Sequence, residues 1–496
     1  MKKPILCTVA ICFIFMFSCK KDEDSDDIAN KSLLVVPGDY PSIQAAINAS
    51  SHGDTIIVDP GTYTENINFN GKEVIVQSRN PEDQGNVETT IIDGNSEGTV
   101  VTFDSGETES AVLNGFTIIN GDAGTSNGGG ILITNSSNPV VKNNTITGNE
   151  AKYGAGICVS GESQPSFINN IIKTNTADGS RGAGIYVIGM SSATIDNNVF
   201  KDHTDCDGVI HIGSTYTDEC DAVITNNIIE NNTTSFGTGG IKVTSVSTAI
   251  ISDNTITDNT GVGDASAAAI SICKTSQADI IDNIITGNDG KQNGAIIVYD
   301  ECEATISGNT ITGNSAGIQG EPSGTGGGIT VSTNSTVDIS NNDISDNYAW
   351  SLNHGGGGII VSYSSDVSID NNQILNNNAY RYGGGIYVAI GSGNNVTITN
   401  NDISGNDADG YGASNGGGIY MDNVIEAVIY GNDIEDNWAQ KNGGGIYIDD
   451  VETLVGNENT AWVRMNAPEE PEPHNTYHNN THGDNSEGGA DVYYRD

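Results

Sequence analysis

Two sets of residues in this chain combine reactive side chains with a repeated setting. Tyr186, His211 and Lys242 each follow the isoleucine of a glycine-led segment (GAGIY, GVIH, GGIK), and Arg181, Asp202, Asp205 and Asp207 stand just before the same segments. Were those segments neighbours in space, they would hold the parts needed to take a proton from the carbon beside a sugar carboxylate. Tyr186, His211 or Lys242 would serve as base. Ca²⁺ held by Asp205 and Asp207 would neutralise the charge that develops. The second set is Tyr387, Tyr420 and Tyr447, each in GGGIY, continued by Tyr493, with Asp422 and Asp449 two residues further along. Phenol rings at strand spacing make platforms for pyranose rings, and Trp462, Glu469, Glu470 and Glu472 would wall such a site. The plainer readings are polar decoration of an exposed face for the first set and cross-strand stacking for the second.

These residues are positioned by a repeat. The unit Asn-x-(Ile/Phe) occurs eleven times from Asn144 to Asn432, at intervals of 26 to 33 residues, and five positions on Asn recurs in ten of the eleven, His203 being the exception. Glycine-led segments deliver a second series of isoleucines from Ile131 to Ile446, and a third alternating segment such as PVVKN lies between the two. Three short strands and three turns per period, without helical periodicity, predict an all-β fold. The chain is read as a single-stranded right-handed parallel β-helix of about fifteen three-strand coils. Apolar side chains form internal rows, and asparagines, which tolerate left-handed backbone, are expected to hydrogen-bond from coil to coil. Alternation should turn the residue after each glycine-led isoleucine outward, onto a groove. Ile43, Ala46 and Ile47 in SIQAAINAS share a helical face, so a short N-terminal helix should cap the core.

Composition agrees. Asn (59) and Gly (63) make up about a quarter of the 496 residues, against a usual Gly share of roughly 7%. The 64 acidic and 19 basic residues give a net charge of −45, which argues against nucleic acid as a partner. At the far end the series is expected to resume at Asn480, leaving a projecting loop at about 451–475. His474, His478 and His482 are spaced for a metal on a helix, but the repeat puts irregular and strand structure there. Asp407-Ala-Asp409-Gly410 is a short Ca²⁺ candidate.

Residues 1–18, with Lys2, Lys3 and an apolar run from Pro4 to Phe17, read as a signal peptide. The sequence around Cys19 resembles the lipobox of bacterial lipoproteins, which implies lipidation of Cys19, with Met16 where that motif prefers Leu. Residues 19–32 form an acidic tether similar to the surface-export signals of lipoproteins in the Bacteroidota. Together these imply attachment to the outer membrane with exposure at the cell surface. Five other cysteines follow: Cys158, Cys206, Cys220, Cys273 and Cys302. Cys206 and Cys220 flank one strand and either pair or stay reduced.

The stretch VPGDYPSIQAAINASSHGDTIIVDPGTYTENI closely resembles the opening of pectin-lyase-like right-handed β-helix proteins, with residues 33–100 as cap and first coils and 101–496 as the repeats. That resemblance implies the fold. No Asp-Pro-His-Asp, Gly-His-Gly or Asp-Phe-Ile-Phe-Gly element is present, so no catalytic residue carries over from mannuronan epimerases, polygalacturonases or pectinesterases. The alternation of GAGI or GGGI with ITGN, ISDN and IEDN also resembles the passenger domains of chlamydial polymorphic membrane proteins, which are adhesins. The expectation is a surface lipoprotein that binds or processes polysaccharide, a Ca²⁺-assisted lyase being one form. The alternative is an adhesin or structural surface protein without catalysis.

Overall fold

The computed structural model describes residues 32–449, apart from short segments at 205–206, 215–218, 235–236, 262–266, 318–323, 353–354, 390–392, 411–413 and 425, and beyond them the strands Trp462–Met465, Thr476–His478, Thr481–His482 and Val492–Tyr494. The leader, Cys19 and its tether up to residue 31, Asp205, Cys206, Glu469, Glu470, Glu472 and His474 lie outside the described residues. No side chain beyond Ile448 is described, which includes those of Asp449, Trp462 and Tyr493.

The repeat folds as three long parallel sheets wound by one compact unit, residues 32–496. Among the described residues sheet I holds 15 strands, most of them glycine-led, from Ile67–Asn68 to Val492–Tyr494. Sheet II has 16, from Leu33–Val36 to Trp462–Met465, and sheet III has 15, from Gly61–Thr64 to Thr476–His478. The result is a right-handed parallel β-helix. Register is exact in sequence terms: Ile131 pairs with Ile157, Ile185 with Ile210, and Ile419 with Ile446. Each of these isoleucines is fully buried, which stabilises the coil by about 1.5–3 kcal/mol per side chain.

Turns are fixed by three polar columns. Between sheets II and III, the Asn170 side-chain oxygen accepts from both the backbone N–H (3.0 Å) and the side-chain amide (3.1 Å) of Asn144, while the Asn170 amide donates to the Val141 carbonyl. The same pattern recurs at Asn198, Asn227 and Asn254. A second column, after sheet III, runs through Asn149, Asn259 and Asn314. Left-handed backbone, expected at these asparagines, falls instead on the residue before each: Asn143, Asn169, Asp253 and Gly308 in the first column, Gly148, Asp258 and Asp436 in the second. That neighbour absorbs the reversal, which leaves the buried asparagine free to bond along the stack.

The third column follows sheet I and was not legible in the spacing. Ser137 N–H donates to Ser163 Oγ, Ser163 N–H to Ser191 Oγ, and Ser276 N–H to Cys302 Sγ. Cys220 and Cys302, both 1% exposed, occupy serine positions of this column, which explains two of the cysteines as small hydrogen-bonding core residues.

Three further features differ from expectation. From Thr233–Thr234 onward each coil adds a two-residue strand, building a nine-stranded sheet IV that ends at Thr481–His482; two residues are too few to show a period. Trp462 opens the last strand of sheet II, paired with Glu426, and does not sit in a projecting loop beside sheet I. Tyr477 pairs with Ile434, so the repeat resumes five residues earlier than Asn480 would place it.

The core is closed at its start by the helix Ile43–Ala49, with Ser42 Oγ accepting from Ala45 N–H and Ile43, Ala46 and Ile47 fully buried. The Glu65 carboxylate accepts from the N–H groups of Ile43 and Gln44, satisfying donors that the helix leaves open. A second helix, Gln84–Thr89 behind the cap Asp83, was not foreseen.

Candidate functional site

Parallel register brings the first set together: Tyr186 pairs with His211 and His211 with Lys242. The Tyr186 and His211 rings meet edge to face at 5.2 Å. His211 Nδ1 lies 2.6 Å from the Asp207 carbonyl oxygen, to which it donates as the neutral tautomer. Lys242 Nζ donates to Asp207 Oδ2 at 2.6 Å, and Thr238 N–H donates to Asp207 Oδ1 at 3.1 Å. Burial pulls the His211 imidazole down to about 4, against the attraction of Asp207. The Asp207 carboxyl is raised by burial but lowered further by Lys242 and His211, so its net direction is down.

The second set also stacks. The Tyr387 and Tyr420 rings are 5.3 Å apart, and those of Tyr420 and Tyr447 are 5.2 Å apart, nearly parallel at 11°. Tyr382 covers them, 4.7 Å from Tyr420. Asp422 pairs with Asp449 at the end of the same strands.

Neither set faces an open groove. Tyr186, His211, Tyr387, Tyr420 and Tyr447 are only 2–4% exposed. The tyrosines form a small apolar cluster apart from the main core, so they do turn away from it, as alternation requires. They are covered because the chain entering each sheet I strand crosses over the row. Gly182, at φ +57, lies so close that a Cβ there would sit 2.7 Å from Tyr186 Cβ, and Gly416, at φ +66, stands in the same relation to Tyr420 at 2.8 Å. The glycines that announce each strand are thus the lid over its outward residue. A sugar cannot stack on these rings, nor a substrate reach His211, without lifting that segment. Lys242 is committed to Asp207, and Asp207 to Lys242 and Thr238, so the pair expected to supply a base and a Ca²⁺ ligand instead neutralise each other. Among the described residues no three His, Cys, Asp or Glu side chains converge as a metal site; Asp205, expected beside Asp207 as a Ca²⁺ ligand, lies outside them.

An open concavity lies on sheet II. A groove of about 700 Å³ runs along the outer face of the strands from Ser192–Asp196 to Thr336–Ser340. Each strand buries its second and fourth residues and turns its first and third outward. The second is alanine in five successive coils: Ala193, Ala222, Ala249, Ala278 and Ala304. So small a column lets the backbone sink toward the core, which hollows the outer face. The groove carries Thr194, Val223, Ile250, Asp279, Thr305 and Asp338 in one row. Val223 and Ile250 are exposed by 39% and 46%. An alanine every 26 to 29 residues was visible in the sequence, but only against the correct strand boundaries.

Three parallel sheets stacked coil upon coil define a right-handed β-helix solenoid. The chain belongs to the family of right-handed β-helix regions, which matches residues 171–324 and 327–496. A family of unknown function, DUF1565, matches residues 38–235. No curated protein matches the chain significantly. Among solved structures it is similar to pectate lyase Pel9A, at 14% identity over 79% of this chain and 78% of that one with a TM-score of 0.29. It is also similar to the PL6 family alginate lyase AlyGC, at 11% identity over 92% and 90% with a TM-score of 0.17. Scores this low carry no argument about the site.

Proposed function

We propose that this chain is a glycan-binding solenoid, tethered through a lipid on Cys19 at a bacterial outer surface, that lays an extended polysaccharide along sheet II. The observation that carries the reading is the open groove over six coils. Its outward positions repeat at the strand spacing of about 4.8 Å, close to the advance of an extended hexose chain per ring, so each ring meets an equivalent position on the next coil. Hydroxyls and carboxylates can bond sugar hydroxyls, and Val223 and Ile250 offer apolar contact to ring faces. A lyase built on Tyr186, His211 and Lys242 has less support, since their reactive atoms lie beneath the glycine lid.

Calorimetry of the full chain against a panel of linear oligosaccharides tests this. Ile250→Asp, a surface change, should leave stability within about 0.5 kcal/mol and weaken binding about tenfold, while Tyr420→Phe, under the lid, should leave affinity unchanged. Unaltered binding in Ile250→Asp would remove the groove from consideration. Unsaturated-sugar absorbance on a uronate polymer, lost in His211→Ala, would restore the lyase.

A further inference from the structure

Away from the groove, sheet IV collects aromatic side chains that the core does not use. Each of its coils turns outward the residues on either side of a fully buried alanine: Tyr348 and Trp350 about Ala349, Asn378 and Tyr380 about Ala379, Asp407 and Asp409 about Ala408, and Trp438 before Ala439. Strand pairing sets the first of each in one column, and the bonds from Tyr380 N–H to the Ala349 carbonyl and from Asp409 N–H to the Ala379 carbonyl carry the register on to the second. The Trp350 and Tyr380 rings meet at 4.2 Å, with Tyr348 6.3 Å from Trp350. Trp438 stands in the Tyr348 column three strand steps away, about 14 Å at the usual spacing. Between these aromatic ends Asn378, Asp407 and Asp409 are shorter, so the surface dips to a polar floor. All four aromatic residues are partly exposed, and none belongs to the main core or to the tyrosine cluster under the glycine lid.

Two polar atoms of this face are left unanswered by the fold. Trp350 Nε1 and Asn378 Oδ1 are shut away from water without a hydrogen-bond partner, which is costly unless something bound supplies the bond. Both belong to partly exposed side chains, so a small rotation presents them to a ligand. Asn378 Nδ2 is turned the other way, to Asp409 Oδ2 at 3.1 Å. Burial and Asp409 raise the Asp407 carboxyl, while burial, Asp409 and Tyr380 push the Tyr348 phenol up to about 12; these groups share one poorly hydrated patch. The indole N–H needs an acceptor and the amide oxygen a donor. A sugar hydroxyl is both, whereas an ammonium only donates and a carboxylate only accepts. A carboxylate would also meet Asp407 and Asp409. Aromatic faces beside such a floor suit the C–H faces of pyranose rings. Resting on the glycan-binding reading but not on the sheet II groove, we infer that sheet IV carries a second sugar site, which takes a run of about three neutral pyranose rings between Tyr348 and Trp438.

Tryptophan emission reads this site, because no tryptophan lines the sheet II groove. The full chain is titrated with cellotetraose, mannotetraose and, as the acidic control, tetragalacturonate, following emission and heat together. A neutral tetramer should shift the emission to the blue as ring faces lose water, and tetragalacturonate should not. Tyr348→Ala and Asn378→Leu keep every tryptophan and should each weaken the response about tenfold, whereas Ile250→Asp in the groove should leave it unchanged. Should Tyr348→Ala fail to fold, Asn378→Leu, whose side chain has the same branching, carries the test alone. Heat without any emission change, lost in Ile250→Asp, would overturn the inference and leave the groove reading intact. An emission shift that keeps full affinity in the sheet IV variants, or one that tetragalacturonate produces equally, would overturn it as well. Neither heat nor shift with any tetramer would sink both readings.

Discussion

His203 is the one break in the second asparagine column, and its cost can be reasoned out. Its backbone N–H and its Nδ1 both lie 3.1 Å from Asn232 Oδ1, so the ring imitates asparagine on one side. On the other side it offers no side-chain oxygen to the preceding coil, and its buried Nε2 has no partner. Burial holds the imidazole neutral, pulled down to about 4. The unfolded chain takes up that proton near 6.5, so between about pH 6.5 and 4 the unfolded state binds more protons and stability falls as the medium is acidified. His211 contributes in the same direction. His203→Asn should therefore add about 1 kcal/mol at neutral pH by restoring the column. It should also reduce the acid-side slope by up to one proton, about 1.4 kcal/mol per pH unit. Urea unfolding at a series of pH values reads both; a slope identical to that of the parent would mean the ring is already solvated or charged in the fold.

At the scale of the element, the glycine-led segment does two jobs that the sequence displays as one. It starts the sheet I strand, and it lies over that strand's outward residue. Gly416→Ala tests the second job: a Cβ there would stand 2.5 Å from the Ile419 carbonyl oxygen at φ +66, a conformation costing roughly 1–3 kcal/mol for a residue with a side chain. The expected result is faster amide exchange confined to the coils around Tyr420, with the rest of the stack unchanged; protection unaltered at Tyr420 would mean the lid is not held by that glycine. The same segment marks where sequence reading succeeded and failed. Strand order, register and the capping helix were legible because Ile, Asn and Gly recur at fixed intervals, and period-2 alternation correctly turned Tyr186 and Tyr420 away from the core. What covers an outward residue is a tertiary matter: the five residues from Gly416 to Tyr420 read as turn and strand, and nothing in their types says that the turn folds back. The sheet II groove was missed for the opposite reason. Its alanines look like weak core positions until five of them are seen to fall in one column.

For the whole unit, each coil contacts its neighbours through backbone pairing and side-chain columns, so stability is a sum over coils and interfaces. Removing residues 284–309 deletes one full period of 26 residues and joins Asn283 to Thr310, the residue that pairs with Ile284. Asn283 would then face Asn342 as Asn309 did, with every column intact. This deletion should fold cooperatively with the same circular dichroism and lose no more than a few kcal/mol. Deleting 284–296, half a period, would set a sheet I strand where sheet III belongs and should prevent folding.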